Sequence, residues 1–598
     1  MTEQAPRIDT NTASIPLNGR RSGAWLARYA LERLPVSHTF GIPGVHNTEL
    51  YDELGQSERI QPVLVTHEAG AAFIADAMSR TGGGRIGVML IVPAAGLTHA
   101  MSGIGEAFLD GIPMLVISGG VRTDLPYRYQ IHELDQLGLA AHVTKRARRV
   151  ERHDEIVPTL FEAYREAVSG VPGPVLVEIP VNLQLTRARV PSVPAFEVPA
   201  PAPLSADDER RLDDAAARLA AAERPGLFAG WGAVDAVDDL VAIADRLGAP
   251  VSTTLQGLSV FPADHPLHTG MGFSQAAVPA AYNAFRDCDC LLAVGTRFAE
   301  IPTGSFGCEV PDNLIHIDID PAVPGRNYPA AVPLAADARL ALPALRQRLE
   351  NLGDRHAKRR SRAAERIAAD KRGYRETWYR HRTDRVNPAR FFDVLRDRLA
   401  RDAIVAVDDG NHTFLAAELW PNLSPRGFIS PTDFNCMGYC VPAAIGAKLA
   451  NPERQVVGIV GDGAFLMTGL ELLTASTAGA APVIFVFHDG ELSQISQGQK
   501  IPYNRKVCTV LGEFHPDGIA RATGAHYLVI GDDDAIPGGI EEALQTAATG
   551  RPVVADVRID YGKHTRFTQG VVRTVLKRFP LGDRFRFVGR ALARRVTG

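Results

Sequence analysis

Short runs of uninterrupted aliphatic and β-branched residues return along most of this chain, and the stretches between them are helical in pattern. In the first third these runs are TFGIP (39–43), QPVLVT (61–66), RIGVMLIV (85–92), IPMLVISG (112–119) and GPVLVEIP (173–180), with Ala-rich segments such as 69–80 between them. A strand that is apolar on both faces has to be covered on both, so strands of this kind alternating with helices predict parallel sheets wrapped by helices. The pattern continues in GLFAG (226–230), APVSTTL (249–255), CLLAVG (290–295) and LIHIDID (314–320). It returns again in AIVAVDD (403–409), QVVGIVGD (455–462), PVIFVFHD (482–489) and PVVADVRID (552–560).

The chain has 598 residues, enough for several domains. The expected fold class is α/β, with three doubly wound parallel-sheet domains. Residues 1–15 read as a loose, flexible tail and 16–190 as the first domain. A connector with Pro191, Pro194, Pro199, Pro201 and Pro203 follows, a linker composition. The second domain spans 205–350. A charged stretch, 355–382, reads as a solvated connecting helix, and the third domain spans 386–561. The first and third blocks resemble each other in pattern, as duplicated domains would.

Residues 562–598 differ in character. They carry ten basic residues and one acid, a net +9, while the whole chain has a formal charge of −4. That overall balance excludes a globally basic nucleic-acid binder, so no nucleic-acid partner is expected. No run approaches about 18 apolar residues, so no membrane partner is expected either. The polar N-terminus lacks the apolar core of a secretory signal. Six cysteines (288, 290, 308, 436, 440, 508) form no CxxC pair and read as reduced thiols of a cytoplasmic protein. The zinc-protease pattern HExxH fails at His67-Glu68, because Ala71 occupies the fifth position. There is no GxxxxGK[ST] phosphate loop and no GxSxG. Gly230-Trp231-Gly232 begins a dinucleotide fingerprint, but Asp235 stands where its third glycine belongs,.

The most informative segment is 456–495. One strand ends in Gly461-Asp462-Gly463, a helix follows from Ala464 and Phe465, and a second strand ends in His488-Asp489-Gly490-Glu491. Asp462 and Asp489 are 27 residues apart. In a parallel strand–helix–strand unit, both carboxylates reach the carboxyl ends of neighbouring strands, where open α/β sheets bind ligands. Mg²⁺ needs hard oxygen ligands in an octahedron and shares them readily with phosphates. The glycines let backbone approach an anion, toward which the helix directs its N-terminus.

This segment resembles the thiamine-diphosphate (ThDP) motif of the acetolactate synthase and decarboxylase superfamily, a GDG followed about 25–27 residues later by Asn-Asn. The resemblance covers nearly the whole chain. It implies Asp462 and Asp489 as side-chain metal ligands, with Glu491 giving its backbone carbonyl; the family's second Asn is Asp489 here. Gly410-Asn411-His412 matches a loop that contacts the diphosphate. Residues 432–450 match the run TMGFGLPAAIGA, which places Met437 under the bent cofactor. Residues 257–270 and 295–304 look like the central domain, which could hold ADP or FAD. QPVLVTHEAGAAF (61–73) looks like the strand–Glu–helix element, so Glu68 is the expected activating carboxylate. It would bond the aminopyrimidine N1′ and favour the tautomer that deprotonates the thiazolium C2. In this superfamily the Glu-bearing and diphosphate-binding domains meet across subunits, so a homodimer or homotetramer is implied.

Four departures bear on the substrate. The family's TSGPG loop reads Val92-Pro93-Ala94-Ala95-Gly96. In the run 493–499, Gly498 replaces a Trp that closes over small substrates. Ile301 replaces an Arg suited to a 2-oxo acid carboxylate. The +9 extension has no counterpart in the ordinary synthase. A basic tail with interleaved apolar residues suits a lid over a polyanion, with Arg566, Arg573 and Lys577 as candidate contacts. The chain therefore looks most like a bacterial 2-hydroxyacyl-CoA lyase with a C-terminal lid. That implies reversible cleavage of a CoA thioester to formyl-CoA and an aldehyde or ketone. The Glu491 side chain would be a second acid/base, with Ala95, His132 and Gln136 near the pocket. The alternatives are an acetolactate synthase-like 2-oxo acid decarboxylase/carboligase, and a non-catalytic ThDP- or nucleotide-binding regulatory subunit.

Overall fold

The computed structural model describes residues 14–353 and 355–597. They fall into two compact units, Met1–Pro201 and Ala202–Gly598. Most of the expected N-terminal tail lies outside the described residues. Its end, Ser14–Pro16, pairs antiparallel with Ser192–Pro194.

The first unit holds a six-stranded parallel sheet: β1 His38–Gly41, β2 Gln61–Leu64, β3 Gly87–Ile91, β4 Met114–Gly120, β5 Arg146–Arg149 and β6 Pro174–Pro180. The order across it is β2-β1-β3-β4-β6-β5. Helix α1 (Glu68–Thr81) follows β2 and α2 (Ala95–Asp110) follows β3. The two helices pack at very close range: a Cβ on Gly103 would lie 2.3 Å from that of Ala72. Fully buried Arg80 also ties α1 to α2, donating to Asp76 at 2.6 Å and to Asp110 at 2.9 Å. A buried guanidinium is tolerable only with such pairing.

The second unit holds two more six-stranded parallel sheets. The middle one contains β7 Pro225–Ala229, β8 Val251–Thr253, β9 His268–Met271, β10 Cys290–Val294, β11 Leu314–Asp318 and β12 Val332–Ala335, ordered β9-β8-β7-β10-β11-β12. The third contains β13 Ile404–Val407, β14 Phe428–Ile429, β15 Val456–Gly461, β16 Val483–Phe487, β17 His526–Ile530 and β18 Val553–Val557, ordered β14-β13-β15-β16-β18-β17. Helix α3 (Pro279–Phe285) belongs to the middle domain, and α4 (Ala357–Tyr379) is the charged connector, burying only Ile367 and Trp378. In the third domain α5 (Asn411–Leu419), α6 (Cys440–Ala450), α7 (Asp462–Thr468) and α8 (Ser493–Tyr503) place the site residues. Leu255, Leu258 and Met271 join Trp378 and the strands of the third sheet in one apolar core, so these two domains share their packing.

The basic extension forms two helices, α9 (Arg566–Arg578) and α10 (Leu581–Thr597). Gly570 of α9 approaches Ala276 so closely that a Cβ would lie 2.2 Å from its Cα. Phe567 stacks on Phe414 of α5 at 4.3 Å between ring centroids. Helix α10 lies on α8: Asn504 donates to the Arg594 carbonyl at 3.2 Å, and Arg594 donates to that of Pro502 at 3.0 Å. Among the described residues no helix is long and apolar enough to cross a membrane.

Candidate active site

The site in the second unit is built at the carboxyl ends of β13, β15 and β16. β15 pairs with both others, so the loops after all three converge. Asp462, the first residue of α7, is 1% exposed. Its Oδ2 accepts the amide N–H groups of Asp489 at 3.1 Å and Gly490 at 2.6 Å, and its Oδ1 accepts that of Gly463 at 2.8 Å. The sequence spacing has therefore become direct contact between the two strand tips.

Asp489 accepts the Ser493 hydroxyl at Oδ2. Its Oδ1 is buried and has no hydrogen-bond partner among the described residues. Burial pushes this carboxyl up to about 6, helped by the Asp462 charge and opposed by the Ser493 hydrogen bond. Asp462 is also shifted upward by burial. Two carboxyl groups disfavoured as bare anions, one with an orphaned oxygen, form a donor set that suits a hard divalent cation. The residue after Gly490 completes it. Glu491 pairs with Val510 in an antiparallel bridge, while the Gly490 carbonyl and the Leu492 amide bond across to Leu511 and Thr509. The Glu491 carbonyl therefore faces away from that bridge. Burial would raise its carboxyl, but the hydrogen bonds and charge of Lys506 and Ser496 outweigh it and hold it low.

Gly410, at φ +149°, sits before α5, and a Cβ there would come within 2.6 Å of the His412 ring. A Cβ on Gly461 would meet the same ring at 3.1 Å. His412 is buried, its Nε2 lacks a partner among the described residues, and burial pushes its pKa down to about 3. The His412 ring thus packs against two side-chain-free backbones and leaves a buried polar Nε2 beside the strand tips. Ala464 and Phe465 are buried in the first turns of α7. Asn411 donates to Gln497 at 3.2 Å, and Gln497 donates to the Tyr561 carbonyl at 3.1 Å.

Met437 occupies the turn before α6 and is half-buried. The residue that fixes this turn, Asp408, was missed in the sequence. Its Oδ1 accepts the Gly438 amide at 2.9 Å, and its Oδ2 accepts that of Cys440 at 2.7 Å. Burial pushes Asp408 up to about 7. The available signal was an acid ending the apolar run AIVAVDD.

A cleft of about 330 Å³ adjoins Asp489, Glu491, Gln497 and Tyr561 and carries Arg385, Lys500 and Lys506 on its walls. Gly498 is exposed on α8, and an added Cβ there meets nothing within 4 Å. Ile301 packs against the core of the third domain. Arg566, Arg573 and Lys577 lie on α9. Lys577 donates to Gln275 at 3.1 Å, Arg573 is exposed, and Arg566 lines a separate cleft of about 380 Å³ with Lys563 and Tyr374. It is α10, not α9, that reaches α8.

In the first unit, Glu68 is the first residue of α1 and is 7% exposed. His99 of α2 holds its Oε2 through Nδ1 at 3.0 Å. Ala95 is the exposed first residue of α2, after Ala94 at φ +56°. Gln136 is buried, accepts the Ser118 hydroxyl at 2.7 Å and donates to the Gly119 carbonyl at 3.1 Å, which occupies it at the end of β4. His132 faces His46, with 3.2 Å between their Nδ1 atoms.

Three family models match in chain order. Residues 21–139 match the thiamine pyrophosphate enzyme N-terminal TPP binding domain, 212–345 the central domain, and 408–557 the C-terminal TPP binding domain. The chain belongs to the thiamine pyrophosphate enzymes. Both thiamine-diphosphate-binding domains are present: Glu68 lies in the first, and Asp462, Asp489 and the Gly410–His412 loop lie in the last. The acetolactate synthase large subunit of Corynebacterium glutamicum is 33% identical, over 90% of this chain and 86% of the relative. The probable acetolactate synthase large subunit of Methanocaldococcus jannaschii is 33% identical, over 89% and 90%. Acetolactate synthase isozyme 3 large subunit of Escherichia coli K12 is 30% identical, over 91% and 96%. The expected likeness to a 2-hydroxyacyl-CoA lyase finds no support in these relatives, whose names fit the 2-oxo acid alternative instead. That expectation weighed four local departures above similarity that spans nine-tenths of the chain.

Proposed function

We propose that this thiamine pyrophosphate enzyme is a Mg²⁺-dependent carboligase acting on 2-oxo acids, of the kind its relatives' names describe. Asp462, Asp489 and the Glu491 carbonyl would hold the metal. The Gly410–His412 loop and the start of α7 would receive the diphosphate, and the Met437 turn, locked by Asp408, would support the thiazolium. When bound, the cofactor supplies a carbon nucleophile and an electron sink. Glu68 would hold and return a proton at N1′ of the aminopyrimidine. The observation that carries the proposal is the orphaned Asp489 Oδ1, buried beside Asp462 at adjoining strand tips.

Purified protein should consume a panel of 2-oxo acids only when ThDP and Mg²⁺ are both present, with carboligation products identified by mass spectrometry. No turnover of any 2-oxo acid under those conditions would overturn the proposal. A flavin absorbance scan of the same sample decides whether the middle domain carries FAD. One observation favours a CoA thioester as a second reading: the basic helix α10 is fastened to the end of α8 by Arg594. Formyl-CoA release from a 2-hydroxyacyl-CoA would replace the first reading with this one.

A further inference from the structure

Helices α1 and α2 are locked together by the Gly103–Ala72 contact and by Arg80. They therefore hold one pair of side chains in fixed relation. His99 Nδ1 lies 3.0 Å from Glu68 Oε2. The other oxygen, Oε1, lies on the Gly96 side, 3.6 Å from where a Cβ would stand. The His99 ring stacks on His67 at 4.7 Å between centroids and 27° between planes. The Glu68 side chain is 9% exposed and the His99 side chain 51%. The titratable groups that the structure puts around this pair are His67 and Tyr51. Burial, and then the Glu68 charge, push the Tyr51 phenol upward, while its hydroxyl donates to the Leu90 carbonyl at 3.0 Å. His67, Glu68 and His99 bring ligand atoms within 4.8 Å of one another. His67 Nδ1 accepts the Ala69 amide at 3.1 Å as the cap of α1.

We propose that His99 is a positioning residue for Glu68: it holds Oε2 and leaves Oε1 for the aminopyrimidine N1′. The inference rests on the reading of Glu68 as the activating acid. A hydrogen bond at one carboxyl oxygen fixes the group's orientation and leaves its second oxygen to meet a partner.

Two measurements test this, one without cofactor. In the apoprotein, diethyl pyrocarbonate labelling with peptide mass spectrometry reads the pair directly. Glu68→Gln should raise His99 labelling at least about threefold while exposed His142 is unchanged,. In the loaded enzyme, hydrogen–deuterium exchange at the cofactor C2 should slow about three- to tenfold in His99→Ala. His99→Asn and His99→Gln keep a hydrogen-bonding group on α2 and should restore exchange toward the wild-type rate. Unchanged labelling in Glu68→Gln, or wild-type exchange in His99→Ala, overturns the role of His99. Undiminished exchange in Glu68→Gln overturns the reading of Glu68 itself.

Discussion

At the scale of single residues, Asp489 is informative because the motif that this segment resembles carries Asn there. An Asn there would offer one carbonyl oxygen; an Asp offers the same oxygen with a charge, on a buried site beside a second acid. Asp489→Asn should therefore keep Mg²⁺-dependent ThDP binding with affinity weakened by about tenfold or less. Asp489→Ala should weaken it by about a hundredfold or more. Fluorescence titration of ThDP at fixed Mg²⁺ distinguishes the two, and equal losses would show that the charge and not the oxygen matters. The pair Asp462 and Asp489 was legible because a fixed spacing on two parallel strands dictates where both ends point. Asp408 was not, because its work is done by accepting amides from a loop thirty residues on, and no local pattern announces that. His99 escaped notice for the same reason: only the packing of α2 on α1 brings it to Glu68.

At the scale of elements, the thirteen strands expected from apolar runs are all present, and the five further strands of the three six-stranded sheets, β5, β9, β12, β14 and β17, are all edge strands. An edge strand has one neighbour and more exposure, so it need not be a continuous apolar run; β5 is Arg-Ala-Arg-Arg,. The extension shows the opposite limit. Its charge was plain in the sequence, but its docking depends on Glu418 of α5, a half-buried acid that accepts the Arg566 and Phe567 amides at the start of α9 and the Tyr374 hydroxyl. Burial pushes Glu418 up to about 7, against opposing hydrogen bonds from Tyr374 and the two amides. A carboxyl whose folded pKa exceeds its unfolded value stabilises fully below the unfolded value, near 4.5, and loses that contribution as pH rises through about 7. The swing is at most about 3 kcal/mol. Glu418→Gln cannot ionise, so the difference in melting temperature between pH 5 and pH 8 should be smaller than in the wild type by several degrees. An identical pH dependence in both proteins would mean that Glu418 does not titrate with folding.

At the scale of the whole molecule, Glu68 and the pair Asp462 and Asp489 belong to different compact units of the chain. We propose that a complete site draws on two copies, as the family resemblance implies, so that Glu68 of one copy serves the cofactor held by Asp462 of another. This has a consequence that no single-chain site shares. Glu68→Gln and Asp462→Asn should each be inactive alone. Mixed and allowed to exchange subunits, they should recover about a quarter of wild-type sites. Half of the dimers become mixed, and in each of these one site collects both defects while the other collects neither. Recovery should require dissociation, appearing after mild denaturation or dilution and not on simple mixing. A site confined to one chain would give no recovery under any protocol, because every copy would still lack either its proton-handling acid or its metal ligand.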